Sequence, residues 1–201
     1  MKHFSLPVFA AVAVGVLTLA ATTVYALSIS GPVYDFDPTD ANLTTALWIQ
    51  HIGLPDPGGE HNYGLLVSKN TTTATNASAG VNINGVNGIT LTELGFDIRN
   101  GGHCGAGAPR YNVVTDDNVT HFFGCIYADD AGTPAPGWTR KRFNLTDPSK
   151  AFPPIQPGST VKSISLVFDE GTDTGPDYSG YAILDNLDVN GVLIPKGPNV
   201  N

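Results

Sequence analysis

From residue 27 onward no stretch carries an apolar stripe at helical spacing for longer than about two turns, whereas short runs of β-branched and aromatic residues are cut repeatedly by Gly, Pro and Asn-Gly pairs. A chain punctuated in this way cannot hide its apolar residues on helices and must bury them between sheets. Asn84-Gly85, Asn87-Gly88, Asn100-Gly101 and Asn190-Gly191 each set a residue tolerant of positive φ beside a glycine, the chemistry of tight turns between antiparallel strands. The composition, 23 Gly and 15 Pro in 201 residues, agrees. Ile164, Leu166 and Phe168 alternate with Ser163 and Ser165, which gives one buried and one wetter face.

The expected strands are Val33–Asp37, Leu43–Gln50, Gly64–Ser68, Ala79–Ile83, Ile89–Arg99, Arg110–Thr115, Thr120–Tyr127, Trp138–Leu145, Ser159–Asp169 and Gly180–Val189. About ten strands over this length imply an all-β fold, a two-sheet antiparallel jelly-roll sandwich rather than a small barrel.

Lys2 and His3 precede an apolar run, Leu6 to Ala21, that ends in Val24-Tyr25-Ala26, the layout of a secretory signal peptide over residues 1–26. That leaves 27–201 as a single β-sandwich domain, expected to be secreted, extracellular and free of the membrane once the signal is removed. The formal charge of −8 argues against nucleic acid or an anionic membrane as partner. In an exported chain the two cysteines, Cys104 and Cys125, imply one disulfide, which would pin the glycine-rich Gly101–Ala108 loop onto the sheet. Sequons stand at Asn42, Asn70, Asn76, Asn118 and Asn144.

Three stretches carry a resemblance: Leu184-Asp185-Asn186-Leu187 within a final strand, Gly137-Trp138-Thr139-Arg140 opening a strand, and Gly88-Ile89-Thr90-Leu91-Thr92 before a long one. Together they resemble the galactose-binding-domain-like jelly rolls shared by many secreted carbohydrate-binding modules. Gly102–Arg110 is also similar to stretches of bacterial secreted proteins. The first resemblance implies a structural Ca2+ at the sandwich edge, held by Asp185 and by Asp35 or Asp37 near the first strand. Strict alternation along residues 180–192 sets Asp185 on one face with Tyr181, Ile183, Leu187 and Val189, and a carboxylate in a core stripe needs a partner. A calcium ion, the backbone amides of a neighbouring loop, or water reached through a bulge would each supply one.

The stretch "DEGTDTGPD" gathers Asp169, Glu170, Asp173 and Asp177, which suit a hard cation or an acid pair facing a sugar. Sugar rings stack on aromatic faces and bond to amides and charged groups. The residues with that chemistry on expected loops and strand ends are Tyr63 and Asn62 in "GLPDPGGEHNY", Arg110, Tyr127 and Tyr178. His51, His61, His103 and His121 show no metal-ligand spacing, and no G-x-S-x-G is present.

The function expected from these residues is a secreted, non-catalytic binding or surface module. It would recognise an extracellular glycan or a cell-surface or matrix component, with Ca2+ and the disulfide keeping its loops ordered. The alternatives are a small glycan-active lyase or hydrolase using Asp169 or Glu170 with Asp185, and a structural surface or matrix subunit.

Overall fold

A computed structural model describes residues 29–55, 61–172 and 180–194. The signal peptide expected over 1–26, and Asp173, Asp177 and Tyr178, lie outside the described residues.

The chain forms an all-β, two-sheet antiparallel sandwich, an arrangement compatible with a jelly roll. The strands are β1 (Val33–Phe36), β2 (Thr44–Ile49), β3 (Gly64–Lys69), β4 (Ser78–Ile83), β5 (Leu94–Arg99), β6 (Arg110–Thr115), β7 (Thr120–Gly124), β8 (Asp129–Asp130), β9 (Trp138–Phe143), β10 (Val161–Phe168), β11 (Tyr181–Val189) and β12 (Val192–Ile194). One sheet runs β1-β4-β10-β6-β7. The other runs β2-β3-β11-β5-β9-β8, with β12 folded back on β11 through the Asn190-Gly191 turn.

Inward-facing residues of both sheets fill the core, and four aromatic rings tie the sheets together. Phe96 of β5 and Phe143 of β9 meet Tyr111 of β6 and Phe123 of β7, with centroids 5.4 to 6.4 Å apart. One sheet edge is covered: Phe122 of β7 exchanges backbone hydrogen bonds of 2.9 and 3.0 Å with Phe152, which blocks open strand pairing there.

Nine of the ten expected strands begin within two residues of where the sequence places them. The expected Ile89–Arg99 strand starts only at Leu94, because the Thr92 and Glu93 amides donate to the Asn190 side chain at 2.7 and 3.1 Å instead of joining a ladder. The expected Thr120–Tyr127 strand ends at Gly124, where Cys125–Tyr127 turn into one 3-10 turn.

The larger correction concerns Asp185. In the β11–β5 ladder Asp185 faces Asp97 and Asp188 faces Gly95, so three residues of β11 span two of β5. This β-bulge centres on Asn186 at φ 45° and reverses the alternation. Ala182, Leu184, Leu187 and Val189 therefore make up the core face, while Tyr181, Ile183, Asp185 and Asp188 point outward.

Asp185 is nevertheless buried, because a loop crosses the outer face. Its carboxylate accepts from the Leu54 amide and the Asn186 amide, each at 2.7 Å. The Asn186 side chain donates to Asp97 at 2.9 Å, and Arg140 holds the other Asp97 oxygen at 3.0 Å. The Arg142 stem lies over Gly95, where an added Cβ would come within 2.5 Å of Cδ, and its guanidinium reaches Asp188 at 3.2 Å. Burial pushes the Asp188 carboxyl up, opposed by Arg142.

Candidate functional site

Pairings of Ala79 with Phe168, Arg110 with Val167 and Arg110 with Gly124 place the start of β4, the end of β10, the start of β6 and the end of β7 at one end of the sandwich. Loops 100–109, 125–127 and 169–172 meet here. The Cys104–Cys125 disulfide, with Cα atoms 5.2 Å apart, ties the first to the second. The Ile126 amide donates to the Gly105 carbonyl at 3.1 Å. Gly124 lets the loop lie flat on the strand, since a Cβ there would sit 2.0 Å from the Ala106 carbonyl oxygen.

On this frame stand two carboxylates, each fixed by its own side-chain partner. Arg110 grips Asp169 with both terminal nitrogens, at 2.5 and 2.8 Å, in the bidentate geometry that arginine favours. The same guanidinium donates to Asn112 at 2.9 Å and lies over the Phe122 ring, 5.7 Å from its centroid. Glu170 meets the buried His103 ring through Nε2, and that ring stands edge-on to Phe168 at 6.0 Å. Gly105 and Gly107 leave the space Glu170 occupies, since a Cβ at Gly107 would fall 2.4 Å from Oε1.

Asp169 and Glu170 line a cleft of about 440 Å³ whose other walls are Lys69, Gly107 and the Thr73–Ser78 segment. Lys69 continues the inward phase of Leu65 and Val67 along β3 and is almost wholly buried at 1% exposure. Its ammonium donates to the carbonyls of Thr73, Thr75 and Asp169.

The structure thus gathers Arg110, Asp169, Cys104 and Cys125 at one end, with Tyr127 half-exposed beyond the cysteine. It does not bring Tyr63 or Asn62 there. They precede Gly64 at the opposite end of β3, where the Tyr63 hydroxyl accepts from Gln50 at 2.7 Å and its ring lies 6.0 Å from His61.

The described carboxylates expected to bind calcium stand on different elements. Asp35 sits on edge strand β1, Asp37 in the following turn, Asp169 beside Arg110 and Asp185 under Leu54. Among the described residues no group of three or more His, Cys, Asp or Glu could hold a metal ion.

Sequence reasoning passed over two members of the site. Lys69 closes an apolar run, Leu65-Leu66-Val67-Ser68-Lys69, in its inward phase, and that misplaced charge was the available signal. His103 had none, because its partner is 67 residues away.

A second cleft, about 540 Å³, lies beside the 144–159 segment. Leu91, Leu145, Ile155 and Phe123 give it an apolar floor, and Gln156 and Asp147 add polar groups. Proline at 148, 153, 154 and 157 was its sequence signal.

Asp37 supports an acid-range prediction. The Leu43 amide at 2.9 Å and the Thr39 hydroxyl at 2.7 Å hold its carboxyl below the usual aspartate range. A carboxyl lowered in the folded state stabilises above its unfolded pKa, and that stabilisation disappears as pH falls through the folded pKa. Asp37→Ala is expected to melt below the wild type near neutrality, with the gap closing as pH falls through and below the usual aspartate range. Thermal melts across that range check it; a gap independent of pH would refute the assignment.

In comparisons with known proteins, the chain matches no family model, no curated protein and no solved structure. What the fold and site define is a class: an all-β two-sheet sandwich with a disulfide-tethered, carboxylate-bearing cleft at one end.

Proposed function

We propose that this chain is an exported, non-catalytic binding module that recognises a glycan in the cleft between Asp169, Glu170 and the Thr73–Ser78 segment. One observation carries the reading: both carboxylates on the cleft wall are fixed in position, Asp169 by Arg110 and Glu170 by the His103 ring. Fixed acceptors favour hydroxyl-rich ligands, because the acceptors lose little freedom on binding. Thr73, Thr75, Asn76 and Ser78 add hydroxyl and amide groups to the same walls. The sandwich architecture and the tethered loop agree with the resemblance to carbohydrate-binding jelly rolls, and the apolar N-terminal run supports export and an extracellular partner.

A glycan array followed by calorimetry on the best binder tests the proposal. Asp169→Asn and Glu170→Gln are expected each to weaken binding by about 10- to 100-fold, the loss of a hydrogen bond to a charged group, with circular dichroism unchanged. Absence of binding to every glycan, or binding that both variants leave intact, would remove this site. Release of new reducing ends from a bound glycan would favour the lyase or hydrolase reading instead.

A further inference from the structure

Lys69 combines a charge, near-complete burial and an acceptor set drawn from two separate segments. Its Nζ donates to the carbonyl oxygens of Thr73 at 2.9 Å, Thr75 at 2.5 Å and Asp169 at 2.8 Å. The first two come from the loop between β3 and β4, and the third from the residue that follows β10. Burying an ammonium is unfavourable unless its hydrogens are satisfied, and converging carbonyl dipoles are unfavourable unless a positive charge stands among them. Each requirement answers the other. The arrangement is that of an oxygen-lined cation site in which the cation is tethered to the chain.

The surroundings fit a cation held permanently. Gly180 donates no side chain to the space but accepts the Lys69 amide at 2.8 Å, fixing the strand end from which the side chain projects. Gly171 is equally constrained, since a Cβ there would meet the Thr71 carbonyl oxygen at 1.8 Å, so the segment after Asp169 is pressed against the loop that carries Thr73 and Thr75. The Gly171 amide donates to the Thr73 hydroxyl at 3.1 Å, and the Thr172 amide to the Thr71 carbonyl at 3.1 Å. Two loops from different sheet positions are thus drawn onto one positive charge.

We propose that the Lys69 ammonium is the structural cation of this fold, and that the oxygen cage of Thr73, Thr75 and Asp169 is a cation site which accepts a free cation once that side chain is removed. The inference does not rest on the glycan reading. Its ligand class follows from the donors. The three described carbonyls, at hydrogen-bond distances of 2.5 to 2.9 Å, suit an ammonium or a large monovalent ion, whereas calcium draws six to eight oxygens in to about 2.3–2.6 Å. The cage adjoins the cleft, which gives a free ion its way in.

Thermal melts of Lys69→Ala test this with methylammonium, potassium and calcium chlorides, choline chloride serving as the ionic-strength control. The variant is expected to melt on the order of 10 °C below the wild type, as when one partner of a buried charged set is lost. Methylammonium and potassium should restore much of that difference saturably and calcium less, with the wild type unmoved by any of them. Lys69→Met, which fills the space without charge, should remain destabilised. A Lys69→Ala protein as stable as the wild type, or destabilised with no recovery in either monovalent cation, overturns the proposal. If Lys69→Ala does not fold alone, refolding it in methylammonium should recover native circular dichroism. Failure of that recovery, or a Lys69→Met protein of wild-type stability, overturns it equally.

Discussion

Phe96→Ala is expected to lower the unfolding free energy by about 3–5 kcal/mol, the range for truncating a fully buried phenylalanine. Phe96 has no exposed surface and sits mid-strand in β5. Its ring meets Tyr111 from the opposite sheet at 5.9 Å and Phe143 from the next strand at 6.3 Å. Removing it opens a void between the sheets and withdraws the edge contacts that aromatic pairs add to area burial. The surrounding backbone cannot collapse readily into the space, because β5 is held by ladders on both sides, to β11 and to β9. Guanidinium titrations should show a lower midpoint with an unchanged slope. Phe96→Leu, which keeps most of the volume, should lose less than about 1.5 kcal/mol. An alanine variant within that smaller margin would show that the four-ring cluster does not hold the sheets together.

The same cluster shows why the fold could be read from sequence. Phe96, Tyr111, Phe123 and Phe143 each fall in the inward phase of a strand bounded by turn residues, so alternation and punctuation point to the same faces. Asp185 shows where that reading stops. A period of two assumes an unbroken ladder, and one inserted residue at Asn186 reverses every later assignment. The Leu187 and Val189 that seemed to share its face line the core instead. Of the three partners that Asp185 required, the backbone amides of a neighbouring loop are present, delivered by Leu54 from 131 residues away. Nothing local in the chain encodes that contact.

The candidate site was legible in proportion to how local its chemistry is. The cysteine pair followed from count and compartment, and Arg110 and Asp169 stood out as charges at strand ends. That they grip one another follows from the register of β6 against β10, which pairs Arg110 with Val167 and so sets Asp169 within reach. Tyr63, by contrast, has comparable chemistry in a loop at the other end of β3, away from this cleft.

Replacing both cysteines by alanine is expected to lower stability by about 3 kcal/mol, the chain-entropy value for cross-linking residues 21 apart, and the melting temperature by about 6–12 °C. Alanine is the suitable replacement, since Cys125 is completely buried and a serine hydroxyl there would need a partner of its own. The effect should not be uniform over the molecule. Core strands keep their ladders, but loop 100–109 would be left with scattered hydrogen bonds, among them the His103 amide to the Tyr181 carbonyl at 2.8 Å, the Gly105 amide to the Ala108 carbonyl at 2.7 Å and the Ile126 amide to the Gly105 carbonyl at 3.1 Å. Amide exchange should therefore accelerate at 102–107 well before the strands respond. Because Gly105 and Gly107 form the wall against which Glu170 rests, and His103 precedes the lost cysteine directly, glycan affinity should fall together with that protection. Reducing the wild type should reproduce both changes. A loop that exchanges as slowly without the bridge as with it would mean that the Arg110–Asp169 and His103–Glu170 pairs hold this end of the sandwich by themselves.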